Sequence, residues 1–233
     1  MTAKEMQYSV KTKLNKLDTV KYRNLRVEEI DFKLNEAQTK IINALSEPRY
    51  KKLTRGLESN QRNFDDLRNL IVYKKELGFT LKGSDIFASL PKDYKFFMSS
   101  FLKASKEGCN NTLRVHIRQH DDKHESNTFY KTDFNWGEVT GMFIQNGLLL
   151  RDLNFNVEKV YLTYIRVPKY IHNASSVVGG SYKNINGVIL EGSQDCELSE
   201  HLHEELVDLA VSLMISDIEA NFKFKEQINN INK

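Results

Sequence analysis

The sequence predicts an α+β fold, with helices first, a mainly antiparallel β-sheet in the middle, and a long amphipathic C-terminal helix packed back on the body. Apolar residues recur every three or four positions at both ends of the chain, and they alternate with polar residues in its middle. These are the periods of helices and of half-buried strands. We expect a helical region 1–77, a β region 78–195, and a helix with a tail at 196–233, which form one integrated unit.

The first third is predicted to hold three helices. Thr2 and Glu5 suit a capping box, in which the threonine hydroxyl accepts from the Glu5 amide and the carboxylate reaches back. The second helix begins near Glu28, where acidic residues face the positive end of the helix dipole, and it stops before Pro48. The third follows Ser59. Their apolar stripes are Met6, Val10, Leu14 and Leu17; Ile30, Leu34, Ala37, Ile41 and Leu45; and Phe64, Leu67 and Ile71.

The middle of the chain has strand patterns. Leu113, Val115 and Ile117 alternate with polar residues, which predicts a half-buried strand. In VEKVYLTYIRVPKYI both alternating sets are largely apolar, which indicates a central strand covered on both faces. This strand should end at Pro168, because proline cannot donate to the ladder. Gly179-Gly180 is expected to be a flexible link, and further strands are predicted near residues 94–105, 141–150 and 187–190.

The stretch CELSEHLHEELVDLAV, residues 196–211, resembles a metal-binding helix at first sight. Such a helix needs two histidines four positions apart, whereas His201 and His203 are two apart, about 200° around a helix. Ser199 instead suits an N-cap and Leu198 a hydrophobic staple. We interpret the stretch as the start of a docking helix with both histidines exposed. Its apolar stripe contains Leu202, Leu206, Leu209 and Leu213, widened by Val207, Ala210 and Met214.

Other catalytic patterns are weak. His116, His120 and His124 lie on a strand that runs into a loop, and four residues along a strand span roughly 13 Å, too far for one metal ion. A folded loop could still join His120 and His124, so they remain the weak metal candidates. Phosphate-binding and nucleophile-elbow motifs are absent, and neither Cys109 nor Cys196 has a neighbouring histidine. We therefore expect no catalytic residue and no cofactor.

The composition is that of an ordinary folded protein. The 233 residues are 40% hydrophobic and 28% charged. No apolar run reaches the roughly 20 residues that span a bilayer, and the N-terminal stretch lacks the apolar core of a signal peptide. The two cysteines are too few for a disulfide framework, so we expect free thiols in a reducing compartment.

The net charge of +3 is unevenly distributed. Residues 1–75 carry 17 Lys and Arg against 10 Asp and Glu, so the remainder is acidic. The basic part could bind nucleic acid, or it could attach one copy of the chain to the next, while a solvated mixed surface is the simplest alternative. The candidate interface residues are a basic group in a predicted loop, Arg49, Lys51, Lys52 and Arg55, and three residues of the last helix, Leu206, Leu209 and Leu213.

Four segments in order carry a resemblance: KLNEAQTKII, FDDLRNLI, YLTYIRVPKYI and CELSEHLHEELVDLAV. Together they resemble the ring proteins of the head–tail connector in crAss-like bacteriophages. The resemblance spans roughly residues 5–215, with no matching segment at about 80–150. These ring proteins are virion structural proteins, and they offer no catalytic residues to transfer.

The resemblance implies a non-enzymatic protein that forms a closed, dodecameric ring beneath the portal. Its partners would be copies of itself, the portal protein and neighbouring ring or tail proteins, with genome DNA passing through the channel without sequence-specific binding. It would be a virion component assembled in the host cytoplasm, with no membrane partner. Two other functions stay open: a nucleic-acid-binding module that uses the basic N-terminal third, and a metal-dependent hydrolase based on the histidine and carboxylate groups.

Overall fold

The computed structural model describes residues 1–17, 25–46, 65–83, 85–118, 132–151 and 153–231. Contacts within the chain define two compact units. One combines Met1–Asn69 with Pro168–Lys233, and the other is Leu70–Val167. The predicted division at residues 77 and 195 remains a proposal about which segments fold together, and limited proteolysis is its test.

In the described part of the first unit there are three long helices: α1 (Ala3–Leu17), α2 (Val27–Ser46) and α3 (His203–Ile231). The predicted capping box begins α1. The Thr2 amide donates to Glu5 Oε2 at 2.8 Å, and the Glu5 amide donates to Thr2 Oγ1 at 3.3 Å. α3 lies within the predicted segment 196–233, and a 3-10 helix, Glu200–Leu202, precedes it.

The predicted apolar stripes face one another in this unit, because α3 packs against both α2 and α1. This confirms a C-terminal helix packed back on the body. On α3, Leu209 and Leu213 are only half-buried. The buried apolar residues are Met6, Val10 and Leu14 of α1; Ile30, Leu34, Ala37, Ile41 and Ile42 of α2; and Leu206, Val207, Ala210, Val211 and Met214 of α3.

An eight-stranded sheet forms the second unit, in the order β1-β8-β4-β5-β6-β7-β3-β2. Neighbouring strands are antiparallel except β5 and β6, so the predicted mainly antiparallel sheet is confirmed. The strands are β1 (Ile71–Leu77), β2 (Phe79–Lys82), β3 (Asp85–Ser89), β4 (Tyr94–Lys106), β5 (Cys109–Ile117), β6 (Glu138–Ile144), β7 (Gly147–Leu150) and β8 (Asn156–Arg166).

The sheet curls, since its two edge strands β1 and β2 follow each other in the chain with only Gly78 between them. One buried cluster lies inside the curl and includes Leu102, Leu113, Leu148 and Leu162. The packing is close where β7 meets β3: a Cβ added to Gly147 would lie 2.1 Å from Cζ of Phe87. Any larger residue at position 147 would force the Phe87 ring to move.

The predicted central strand is β8, which lies between β1 and β4. Tyr164 and Ile165 are both buried although they point to opposite faces of the strand, as the two apolar sets predicted. The strand ends at Arg166, just before Pro168. β5 likewise confirms the alternation, with Leu113 and Val115 buried.

The predicted third helix ends earlier in the sequence than expected. A helical turn covers 65–67, a 3-10 helix covers Arg68–Leu70, and Ile71 then begins β1, where it pairs with Ile165. The assignment of Ile71 to a helix was therefore wrong. The sequence Ile71-Val72-Tyr73 favours a strand, because β-branched and aromatic residues pack well on a pleated surface. The predicted helix start near Ser59 lies outside the described residues.

Among its described residues, the first unit also contains two small antiparallel strand pairs. β9 (His172–Asn173) pairs with β12 (Ser193–Gln194), and β10 (Ser181–Lys183) pairs with β11 (Ile189–Glu191). The strand predicted near residues 187–190 is β11. Gly179 and Gly180 lie in the turn before β10 and have φ angles of 97° and 69°, a backbone region that favours glycine.

Candidate assembly surfaces

His203 joins the start of α3 to the start of α1. Its Nε2 lies 2.9 Å from the Leu198 carbonyl oxygen, and its Nδ1 lies 2.8 Å from the Met1 amino group. Since a carbonyl can only accept, Nε2 carries the proton and Nδ1 accepts from Met1. Burial lowers the pKa of His203, which favours this neutral form. The prediction that His203 is exposed was therefore wrong: only 4% of the residue is exposed.

His201 lies apart from His203 and is exposed as predicted, with 53% of its side chain accessible. Its Nε2 is 2.7 Å from Oδ1 of Asp66. Ser199 lies at the N-cap position, as predicted, but its hydroxyl makes no capping bond and instead donates to the Asp66 carbonyl oxygen at 3.2 Å. The polar residues at the start of this helix thus attach it to the segment before β1.

A cleft near the N-terminus of α1 collects carboxylates and a thiol, and its lining includes Glu5, Asp195 and Cys196. Glu5 already accepts from the Thr2 amide, and Asp195 accepts from the Ala3 amide at 2.7 Å. Burial raises the pKa of Cys196 to about 11, so its sulfur stays a protonated thiol at neutral pH. These groups hold the helix start in place, and the arrangement offers no activated nucleophile.

A buried carboxylate, Asp31 of α2, organises the interior of the same unit. Gln7 of α1 donates to Oδ1 at 2.5 Å, while the Tyr182 hydroxyl and the Asn173 amide donate to Oδ2 at 2.7 and 3.2 Å. The Asn173 side chain donates in turn to Gln7 at 3.2 Å and to Ser176 at 2.6 Å. We call Gln7, Asp31, Asn173, Ser176 and Tyr182 the Asp31 network.

Burial raises the pKa of Asp31, although the three donors lower it in part. Burial also raises the pKa of Tyr182, so the hydroxyl keeps its proton and donates. The sequence carries a signal for this network, although the network was not predicted. Asp31 lies one turn before Leu34 on the apolar stripe of α2, and Gln7 lies between Ala3 and Val10 on the stripe of α1. A polar residue on an apolar stripe needs a buried partner.

The β10–β11 hairpin (Ser181–Glu191) presents apolar side chains to solvent. Its turn is well formed: the Gly187 amide donates to the Asn184 carbonyl oxygen at 2.9 Å, and Gly187 has a φ of 77°. This is the geometry of a three-residue hairpin loop that ends in a left-handed glycine. Ile185, Val188 and Ile189 are 75%, 54% and 58% exposed. These three residues were not predicted to form an exposed surface.

The structure leaves most of the predicted site residues untested. The basic group Arg49, Lys51, Lys52 and Arg55 lies outside the described residues, as do His120 and His124. His116 lies on β5 with Nε2 3.5 Å from Glu138 Oε1. Within the part of the chain that the structure describes, no group of three or more His, Cys, Asp or Glu side chains is placed to hold a metal ion. Among the same residues, no helix is long and apolar enough to cross a membrane.

Carboxylates that are satisfied within the helical unit, together with exposed apolar residues on a hairpin, are typical of a protein that works through its surfaces. Residues 1–223 match the family described as phage tail ring protein 3/4. The chain therefore belongs to this family of crAss-like phage ring proteins, which confirms the resemblance and gives it a structural role in the virion. No curated protein matches the chain significantly.

Proposed function

We propose that this protein is a non-enzymatic subunit of a closed ring in the head–tail connector, below the portal and around the genome channel. The observation that carries the proposal is the family match, which covers residues 1–223 rather than a single segment. A ring protein has copies of itself as its first partners, and the portal protein and adjacent tail rings would be the next. We further propose a dodecamer that is assembled in the host cytoplasm.

The geometry of the chain supports assembly. Contact from one ring subunit to the next is heterologous, so each subunit needs two different surfaces that complement each other. The first unit is stiffened from inside by the Asp31 network and carries ion pairs between its helices, such as Lys33 with Asp217 at 2.5 Å. Its exposed apolar residues then remain available for contacts between subunits.

Light scattering after size-exclusion chromatography, with negative-stain electron microscopy, tests the ring. We expect one discrete annular species of a single mass. A monomer at every concentration that also fails to bind tail particles would contradict the proposal. A monomer that binds duplex DNA with a steep salt dependence would instead favour the nucleic-acid-binding function. Stoichiometric zinc by elemental analysis would favour the metal-dependent hydrolase.

Gold-labelled antibodies against the chain test its position in the virion. We expect label at the junction of head and tail. Label at the far end of the tail would contradict the connector position while leaving the tail-ring role intact. Cross-linking of intact particles followed by mass spectrometry should join the chain to the portal protein, and its absence from all such pairs would remove the portal as a partner.

A further inference from the structure

We propose that the β10–β11 hairpin of one copy docks on the outer side of α1 in the next copy, and that this contact closes the ring. The inference rests on the proposed function and deepens it by naming the two surfaces. The outer side of α1 is defined here by Lys4, Tyr8, Ser9 and Thr12.

The inner face of the hairpin is attached to the helices of the same unit. Tyr182 of β10 faces inward and donates to Asp31, and its cross-strand partner Leu190 is half-buried. A hairpin of two short strands is only marginally stable alone, so this attachment fixes its direction. The turn adds two hydrogen bonds between Asn184 and Val188. The Asn184 amide donates to the Val188 carbonyl oxygen at 3.0 Å, and the Val188 amide donates to Asn184 Oδ1 at 2.9 Å.

The exposed side of the hairpin is more apolar than expected for a turn that only faces solvent. Ile185 lies in the turn, Val188 follows it, and Ile189 stands on the outer face beside Lys183. Val178, in the turn that leads into β10, is fully exposed as well. Single exposed apolar residues are common, whereas four within twelve residues, on a hairpin attached through Tyr182, supply the apolar side chains that a contact surface needs.

The receiving surface lies on α1. Tyr8 is 74% exposed, and it lines a shallow groove with Lys4, Ser9 and Thr12. An aromatic ring with a polar tip beside a groove is a favourable anchor for aliphatic side chains. The Thr12 hydroxyl already donates to the Tyr8 carbonyl oxygen at 2.9 Å. An apolar side chain that docks here would therefore leave no unpaired donor at Thr12.

The hairpin cannot fill the groove of its own chain. Gln7, from the inner side of α1, enters the Asp31 network, and Tyr182 approaches the same carboxylate from the hairpin. The network therefore lies between the inner side of α1 and the hairpin, while Tyr8 lies on a different side of the helix. A protrusion and a groove that face apart on one chain are the pair of surfaces that a head-to-tail ring contact requires.

Two variants, each lacking one surface, test the contact. Ile185→Asp with Val188→Asp charges the hairpin, and Tyr8→Asp charges the groove, while Ile185→Leu with Val188→Leu and Tyr8→Phe are the matched controls. By light scattering we expect the aspartate variants to be monomeric and the controls to form the wild-type ring. Circular dichroism checks the fold, and serine at positions 185 and 188 replaces the aspartate pair if that pair unfolds.

Mixing the two aspartate variants gives the decisive result. The hairpin variant keeps an intact groove and the groove variant keeps an intact hairpin, so one good contact remains, and we expect a 1:1 heterodimer with no larger species. A mixture that stays monomeric, or a hairpin variant that still forms rings, overturns the inference and leaves the proposed ring untouched. A wild-type chain that forms no ring and also fails to bind tail particles overturns the proposed function itself.

Discussion

The Tyr182 hydroxyl donates a 2.7 Å hydrogen bond to Asp31, and this bond joins the β10–β11 hairpin to α2 across 151 positions of sequence. Asp31 has no exposed surface, so its carboxylate is stabilised by its hydrogen-bond donors and not by water. A buried carboxylate is costly when it is left unpaired. The network therefore makes the position of the hairpin depend on the helices, and the stability of the helices depend on the hairpin.

Tyr182→Phe should destabilise the protein by about 1.5–3 kcal/mol, the range for a lost hydrogen bond to a charged group. The phenyl ring keeps the packing, so the loss isolates the hydroxyl. Urea unfolding followed by circular dichroism measures it. Tyr73→Phe is the control, because Tyr73 is 70% exposed, and we expect a change within about 0.5 kcal/mol. Equal values for the two variants would show that the bond to Asp31 contributes nothing.

The two histidines of α3 and its preceding turn should behave differently. His203→Ala removes the partner of both the Leu198 carbonyl and the Met1 amino group, so we expect a loss of about 1–3 kcal/mol. His201→Ala removes a half-exposed ring and should cost about 0.5 kcal/mol or less. Thermal unfolding of both variants beside the wild type tests this. A larger loss for His201→Ala would contradict the placement of these two side chains.

The stability of the protein should depend on pH through His203. Because burial lowers its pKa below 6.5, the unfolded chain takes up this proton before the folded chain does. The contribution of His203 is therefore complete above pH 6.5 and falls as the pH drops from there to the folded-state pKa. The stability of the wild type relative to His203→Gln, which does not titrate, should decline as the pH falls below about 6.5.

Asp31 should act in the opposite sense, which provides the control. Its pKa is raised by burial, so the folded chain takes up this proton first, and acidification favours the folded state through this group. Relative to Asp31→Asn, the wild type should therefore gain stability as the pH falls through the folded-state pKa. A parallel pH profile for the wild type and both variants would show that neither group is linked to folding.

The helical parts of the fold could be predicted because their signals are local. Thr2 and Glu5 are three residues apart, and the apolar spacing of α2 and α3 is visible within one or two turns. His203 was placed wrongly because Glu204 and Glu205 follow it, and this charged run suggested an exposed turn. Its partners are the Leu198 carbonyl and the Met1 amino group, the second of them 202 positions away, and no local pattern reports such a contact.

The candidate assembly surfaces were harder to predict for a related physical reason. Tyr182 and Ile185 lie close together in the sequence, yet one is buried against Asp31 and the other is exposed. Only the register of β10 with β11, together with the network behind the hairpin, decides which side faces solvent. The predicted stripe of α3 shows the same limit, since periodicity placed Leu206 and Leu209 together although their burial differs.

Leu206 and Leu209 should separate folding from assembly. Leu206 has no exposed surface, so Leu206→Ala should cost about 2–5 kcal/mol, and aspartate there should cost more. Leu209 is half-buried, so Leu209→Asp should leave a folded chain, as should Leu213→Asp. Light scattering then shows whether either variant loses the ring, as expected for interface residues. Full assembly by both variants would remove these two leucines from the interface.

Neutralising the basic group Arg49, Lys51, Lys52 and Arg55 with glutamine should weaken ring formation more at low salt than at high salt. If this group meets an acidic surface on a neighbour, the attraction is screened over a Debye length of about 8 Å at physiological ionic strength. Glutamine at Lys75, Lys92, Lys103 and Lys106 changes the net charge equally and should leave the salt dependence of assembly unchanged.

A DNA-binding role makes a different prediction: the first variant would lose affinity for any duplex, with a shallower salt slope, while its oligomeric state stayed the same. We expect the change in assembly, since a channel through which a genome passes gains nothing from binding it tightly.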